Sequence, residues 1–241
     1  MSRPLQAIVF DFDGVIANSE PLHLVAFQQA LSEDGLELSA SEYYERYLGY
    51  DDVGMFEAFG RDRRLPMDAG RVAELVTRKG ERMQHLLRSG SVLFPGALEF
   101  IREAAAAVPV AIASGALRHE IVEIITAAGA GNLFSTIVAA GDTPESKPSP
   151  APYRLAFEQL CQRTGRALDP CRSVAIEDSH WGLESARGAG LRLVGVTSSY
   201  PAAELSIAEL VVSGLSSLTL MALDELCARE TQATEAPARI G

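Results

Sequence analysis

The sequence predicts an α/β protein, a mostly parallel sheet with an all-helical insert. Three observations carry that prediction. From residue 94 onward, short apolar runs alternate with helix-length segments, the pattern of βαβ units. One further run, Ala7–Phe10, stands alone near the N-terminus, and residues 17–93 between it and the rest contain no strand-like run. Several of the apolar runs end abruptly in polar residues, and ligands of open α/β sheets sit outside the carboxyl ends of the strands.

The first run, Ala7-Ile8-Val9-Phe10, reads as a buried strand of a parallel sheet. It ends in Asp11 and Asp13, spaced i, i+2, and then Gly14. Two like charges so close repel, and a cation relieves the repulsion. Mg²⁺ suits them, being a hard ion that takes a few carboxylates with water and phosphate oxygens. Taken alone, the stretch is equally a strand that ends in a solvated Asp-x-Asp-Gly turn.

In the insert, Ser19 is a fair N-cap, Pro21 is tolerated in the first helical turn, and Leu24, Phe27 and Leu31 follow at helical spacing to a stop at Gly35. Tyr43, Tyr44, Tyr47 and Leu48 mark a second amphipathic segment ending at Gly49. Tyr50-Asp51-Asp52 is expected as a loop, and Met55, Phe56 and Phe59 as a short helix to Gly60. Arg61 to Arg64 is expected as a solvated connection. A strongly periodic helix then carries Val72, Leu75, Val76, Met83, Leu86 and Leu87 on one face.

After Phe94-Pro95-Gly96 the pattern changes. Helices are expected at about 97–107, 118–128, 151–164, 181–189 and 216–227, and strands at 108–113, 136–139, 173–176, 193–197 and 210–212. The domains follow: a core of residues 1–16 and 94–229, an insert of 17–93, and a flexible tail of 230–241.

Composition bounds the function. The 241 residues are 47% hydrophobic and 22% charged, as in an ordinary soluble globular protein. Lys plus Arg is 21 against 32 for Asp plus Glu, a net charge of −11, which argues against a nucleic-acid footprint. Cys161, Cys171 and Cys227 have no metal-ligand spacing and read as free thiols. The N-terminus is no signal peptide and no apolar run reaches membrane-spanning length, so a cytoplasmic location is expected. The sequence leaves oligomeric state open and is compatible with a monomer.

Three more strand ends carry polar residues: Ser114-Gly115 after one run, Glu145 to Pro150 with Lys147 after another, and Glu177-Asp178-Ser179 after a third. Each has an ordinary structural reading, as an N-cap, a surface lysine or a helix-start acid pair. A parallel sheet would gather all of them on one edge with Asp11 and Asp13, and the ordinary structural reading of the whole set then requires that they gather there by chance.

These residues, in this order, resemble the four motifs of the haloacid dehalogenase superfamily, a Rossmann-like catalytic core with a helical cap matching the insert. The run Asp13-Gly14-Val15-Ile16-Ala17-Asn18-Ser19-Glu20-Pro21-Leu22-His23 is similar to the β-phosphoglucomutase and sugar-phosphate phosphatase branch. The resemblance implies that Asp11 is a nucleophile forming an aspartyl phosphate and that Asp13 is the acid and then the base. It implies Mg²⁺ held by Asp11, the Asp13 carbonyl and Asp178, with Glu177 in or next to the shell. Ser114, flanked by Gly115 and Ala116, would bind the phosphoryl group, and Lys147 would neutralise it.

In the cap, Lys79 falls near the centre of the apolar stripe, where a solvated lysine should not lie. It either snorkels from the stripe's edge or reaches a substrate in the cleft, and the resemblance favours the second. His23 could face the active site or serve as a structural hydrogen-bonder, and Tyr50 lies on a loop that inspects substrates in the family. His180 and Trp181 read as a capping and packing pair. The mutase branch's loop arginine is not evident beside Asp51 and Asp52, with Arg61, Arg63 and Arg64 as other candidates for that charge.

The expected activity is therefore a Mg²⁺-dependent phosphatase acting on a small phosphorylated metabolite, a sugar phosphate foremost. A β-phosphoglucomutase-type mutase is the alternative. A catalytically dead binding protein would have lost a motif carboxylate or the lysine, and none is lost.

Overall fold

The computed structural model describes residues 3–48, 50–89 and 92–229. Gly49, expected to end a helix, and the expected tail 230–241 lie outside the described residues. The chain forms two units, Met1–Asn18 with Leu93–Gly241, and Ser19–Val92.

The first unit is built on six strands: β1 (Ala7–Phe10), β2 (Val110–Ala113), β3 (Thr136–Val138), β4 (Ser173–Glu177), β5 (Arg192–Val196) and β6 (Leu210–Val212). Their order is β3-β2-β1-β4-β5-β6, and all five pairings are parallel. The helices are α5 (Ala97–Ala107), α6 (Arg118–Ala127), α7 (Ala151–Thr164), α8 (His180–Gly188) and α9 (Leu220–Ala228). The sequence reading starts β2 two residues early and α9 four residues early. Residues Leu215–Ser217 form a 3₁₀ turn, and Thr219 caps α9 by accepting from the Ala222 N–H at 3.2 Å.

Every residue of β1 and β2 is fully buried, as an unalternated apolar run in a two-sided sheet must be. Ala7, Val9, Ala111, Ala113 and Ala175 share a core cluster with Tyr153, Ala156 and Leu160 of α7 and Leu183 and Ala186 of α8. The alternate β1 residue Phe10 meets Phe100 of α5 and Phe134 edge-on, each at 6.2 Å. Small alanines on the first face let α7 approach β1 closely, which brings the residues at the start of α7 to the strand ends.

The second unit contains α1 (Glu20–Ser32), α2 (Ala40–Arg46), α3 (Asp52–Arg63) and α4 (Ala69–Ser89). Its core holds Leu24, Phe27, Leu31, Tyr43, Met55, Phe56, Phe59, Val72 and Leu75. Two expectations are corrected here. Arg61 to Arg63 belong to the last turn of α3, which Arg64 ends in the left-handed conformation at φ 55°. Asp51 and Asp52 do not form an open acidic loop. Asp51 is the N-cap of α3, accepting from the Gly54 N–H at 2.7 Å, and Asp52 is that helix's first residue. The physical reason is helix capping: a carboxylate before an apolar periodic segment satisfies the helix's free N–H groups.

Candidate active site

Sheet register assembles the site. β1 pairs β4 as Phe10 with Ile176, and the Asp11 N–H continues the ladder to the Ile176 carbonyl at 2.9 Å. The next residues along the two strands are Asp11 and Glu177, which come level at the carboxyl edge. Glu177 pairs Gly195 of β5, and Ser114 follows the Ala113–Val138 pair of β2 and β3. Three strands, β1, β2 and β4, thus deliver polar residues to one edge.

The hub is Lys147. Its Nζ donates to Asp11 Oδ1 at 2.7 Å and to Glu177 Oε1 at 2.5 Å, and it lies 5.0 Å over the Tyr153 ring. Its peptide bond to Pro148 is cis. Burial opposes the ammonium charge, but Asp11 and Glu177 outweigh it and lift the pKa above the ordinary lysine value. Glu177 is wholly buried and held at both oxygens. Oε1 accepts from Lys147 and from the Tyr153 hydroxyl at 3.0 Å. Oε2 accepts from the Asp178 N–H at 3.0 Å, the Ser179 N–H at 3.2 Å and the Ser179 hydroxyl at 3.0 Å. A Cβ at position 182 would fall 1.8 Å from Glu177 Oε1, so α8 approaches this carboxylate only because Gly182 has no side chain.

Asp11, Glu177 and Asp178 each offer an oxygen within 4.8 Å of the others, and all three are buried. Burial, and after it the charge of Glu177, holds the Asp11 carboxyl well above the usual range. Burial and the same neighbour push Asp178 up to about 7. One lysine does not balance three acids, so this edge favours further positive charge. The donors are all oxygens, which suits a hard divalent cation and not a thiolate- or imidazole-seeking one. Asp13 is half-buried in the turn after Asp11, where the Gly14 N–H donates to the Ala17 carbonyl at 2.9 Å. Ser114 is buried, its hydroxyl accepting from the Ala116 N–H at 3.0 Å in the turn through Gly115 that leads to α6.

The structure therefore brings Asp11, Lys147, Glu177 and Asp178 into direct or near contact, with Asp13, Ser114, Gly115 and Ala116 on the same edge. The other predicted residues stand in the helical unit. Lys79 lies on the buried stripe of α4 and is 1% exposed. It does not snorkel. Its Nζ bonds Asp52, with one carboxylate oxygen at 2.8 Å and the other at 2.9 Å, meets His23 Nδ1 at 3.0 Å, and sits 5.0 Å over the Phe27 ring. To touch a ligand it would have to leave these partners. Burial first, and then Lys79, lowers the His23 pKa to about 4, so the imidazole is neutral and accepts from the ammonium. Tyr50 is half-exposed beside Gly54. Arg63 is committed to Glu42 at 2.6 Å and to the Phe59 face at 5.0 Å.

His180 stacks on Trp181 with ring centres 3.8 Å apart, and both meet Tyr200 edge-on. Sequence reasoning missed Tyr153, Gly182 and the pair Ser198-Ser199. The serines follow the end of β5, so the strand-end rule points at them, but hydroxyls there are also ordinary turn residues. The Ser198 hydroxyl donates to the Gly14 carbonyl and the Ser199 hydroxyl to Asp178 Oδ2.

Residues 8–196 match the family described as haloacid dehalogenase-like hydrolase. Protein CbbY of Rhodobacter capsulatus is 34% identical over 232 residues, 92% of this chain and 99% of that one. A phosphoglycolate phosphatase of Pectobacterium atrosepticum is 28% identical, covering 86% of this chain and 88% of its own length. Among solved structures, CbbY from Rhodobacter sphaeroides in complex with phosphate superposes with a TM-score of 0.76 at 30% identity, covering 91% of this chain and 99% of that one. A mutant of the same protein in complex with xylulose-(1,5)bisphosphate matches equally. Among the described residues, no helix is long and apolar enough to cross a membrane. With its strand-end carboxylates, the lysine paired to two of them and these relatives, the chain belongs to the haloacid dehalogenase-like hydrolase family.

Proposed function

We propose that this enzyme is a Mg²⁺-dependent phosphatase that hydrolyses a small phosphorylated metabolite, a sugar phosphate foremost, through an aspartyl phosphate on Asp11. The observation that carries the reading is the buried Asp11 carboxylate at the carboxyl end of β1, with Lys147 on Oδ1 at 2.7 Å. The lysine occupies one oxygen and leaves the other for attack. The relatives support the phosphate substrate, and the bisphosphate complex of the CbbY neighbour supports the sugar.

Asp11 attacks phosphorus as the bond to the leaving oxygen breaks, and Asp13 gives its proton to that oxygen. Asp13 then takes a proton from water, which attacks the phosphorus of the aspartyl phosphate and frees Asp11 and inorganic phosphate. Lys147 neutralises the nucleophile and the transferring oxygens, and the Ser114 hydroxyl donates to the phosphoryl group. Asp11, the Asp13 carbonyl and Asp178 would hold Mg²⁺, with Glu177 fixing Lys147 beside them. When bound, the cation supplies charge stabilisation to the phosphoryl oxygens. Phosphate monoester hydrolysis can need up to ~10²¹-fold acceleration, and acid–base help accounts for only about 10²–10⁴ of it, so the fixed positive charge is essential.

The mutase alternative needs a second anion site. Lys79 is bound to Asp52, and Arg63 to Glu42, so neither cation is uncommitted. The test is phosphate release from a panel of sugar phosphates with Mg²⁺ and with excess chelator. Inorganic phosphate, abolished by chelation and by Asp11→Asn, supports the reading. Activity retained after exhaustive chelation overturns the metal dependence. Isomerised sugar without phosphate release, followed by ³¹P NMR, overturns hydrolysis in favour of the mutase.

A further inference from the structure

Two serines beyond β5 reach the site from the loop that follows that strand. Gly14 has φ +80°, and a Cβ there would fall 1.8 Å from Asp178 Oδ2 and 3.0 Å from the Ser199 hydroxyl oxygen. The Asp178 carboxylate therefore lies directly on the Gly14 backbone. Its Oδ2 is covered on one side by that backbone and takes the Ser199 hydroxyl as a donor. Ser198 fixes the Gly14 carbonyl from the same loop. Both serines are exposed, so they contribute little to the core. Their hydroxyls nonetheless tie the end of β5 to the turn after Asp11 and to the carboxylate of Asp178.

The consequence concerns how Asp178 can bind a cation. A carboxylate with one oxygen packed on backbone and hydrogen-bonded presents the other more readily. Mg²⁺ demands near-ideal octahedral geometry and takes single oxygens, whereas Ca²⁺ is larger and readily takes a carboxylate through both. Outer partners that orient a ligand typically change metal affinity by about 10–100-fold when removed. We infer that Ser199 is a positioning residue that restricts Asp178 to one-oxygen ligation and so tunes the site for Mg²⁺ over Ca²⁺. Ser198 supports it by fixing Gly14 beneath the same carboxylate. The inference rests on the proposed role of Asp178 as a metal ligand.

The test is titration calorimetry of full-length protein with Mg²⁺ and, separately, with Ca²⁺, with no substrate present. Wild type, Ser199→Ala and Ser199→Thr are compared. The alanine variant is expected to weaken Mg²⁺ binding about 10–100-fold while Ca²⁺ binding holds or tightens. The threonine variant keeps a hydroxyl and is expected to restore the wild-type ratio. Because position 199 is exposed, the thermal midpoint measured in chelator should stay near that of wild type. An unchanged ratio of Mg²⁺ to Ca²⁺ affinity in Ser199→Ala overturns the inference and leaves the metal site standing. An equal loss for both cations overturns it too, since that reports a loosened loop and not a restricted ligand. Absence of Mg²⁺ binding by wild type removes the reading of Asp178 on which the inference depends.

Discussion

Between about pH 7.5 and about pH 5, acidification should remove the stability that a neutral His23 contributes. In the folded state its Nδ1 accepts from the buried Lys79 ammonium at 3.0 Å, and burial followed by that neighbour depresses its pKa from 6.5 to about 4. A protonated ring would place an N–H against an ammonium in the same buried pocket. The unfolded chain therefore takes up the proton first. The contribution of neutral His23 is fully present above about pH 6.5, falls as the pH drops, and levels off below about pH 4. The full difference corresponds to about 3 kcal/mol, and roughly 2 kcal/mol of it is lost between about pH 7.5 and about pH 5. For a chain of this size that is about 4–8 °C in thermal midpoint. Asp178 acts in the opposite sense. Its folded pKa lies above its ordinary value, so the folded state gains stability as the pH falls through about 7. The measurement must therefore be a difference. Thermal unfolding of wild type and His23→Gln is followed across this pH range in chelator, and glutamine retains an oxygen for the lysine to bond. The two curves are expected to converge on acidification by about 2 kcal/mol. Curves that run parallel within about 0.5 kcal/mol would refute the half-buried neutral histidine, as would an NMR titration midpoint for His23 near that of a free imidazole.

Asp52→Asn leaves the Lys79 ammonium buried without its countercharge and should cost about 3–5 kcal/mol in urea unfolding, with Lys79→Met in the same background recovering most of it. A loss below about 1 kcal/mol would place the pair among weak surface ion pairs. Tyr153→Phe keeps the ring beneath Lys147 but removes one donor to the Glu177 carboxylate, an expected loss of about 1.5–3 kcal/mol, and unchanged stability would show that Lys147 alone satisfies that oxygen. Gly14→Ala places a Cβ in the left-handed region and against Asp178, so stability should fall by about 1–3 kcal/mol with weakened Mg²⁺ binding, while wild-type values on both counts would contradict the packing of Asp178 on this turn.

The strand ends were legible because two strong signals coincide there. An apolar run buried on both faces has no place for a charge until it ends, so Asp11 and Glu177 announce the edge of the sheet by their position alone. The same logic applied to β5 points at Ser198 and Ser199, but hydroxyls after a strand are ordinary turn residues and do not stand out without the partners they reach. Asp51 and Asp52 show the reverse case. Their charge was legible and their use was not, because capping a helix and pairing a lysine both depend on what lies across the fold.

Lys79 divides what the sequence settles from what it does not. Helical periodicity alone places it on the apolar face of α4, since 3.6 residues per turn put positions 72, 75, 79 and 83 on one stripe. The alternation of apolar runs and helical segments likewise determines an α/β core with a helical insert, because each pattern can bury its apolar face in only one kind of element. Which groups meet in that interior is decided by the tertiary structure. His23, Asp52 and Lys79 come from three different helices, as Asp11, Lys147 and Glu177 come from two strands and a loop. Local pattern carries no information on such distances, and the cost of burying an unpaired charge is what selects the arrangement in which each finds its partner.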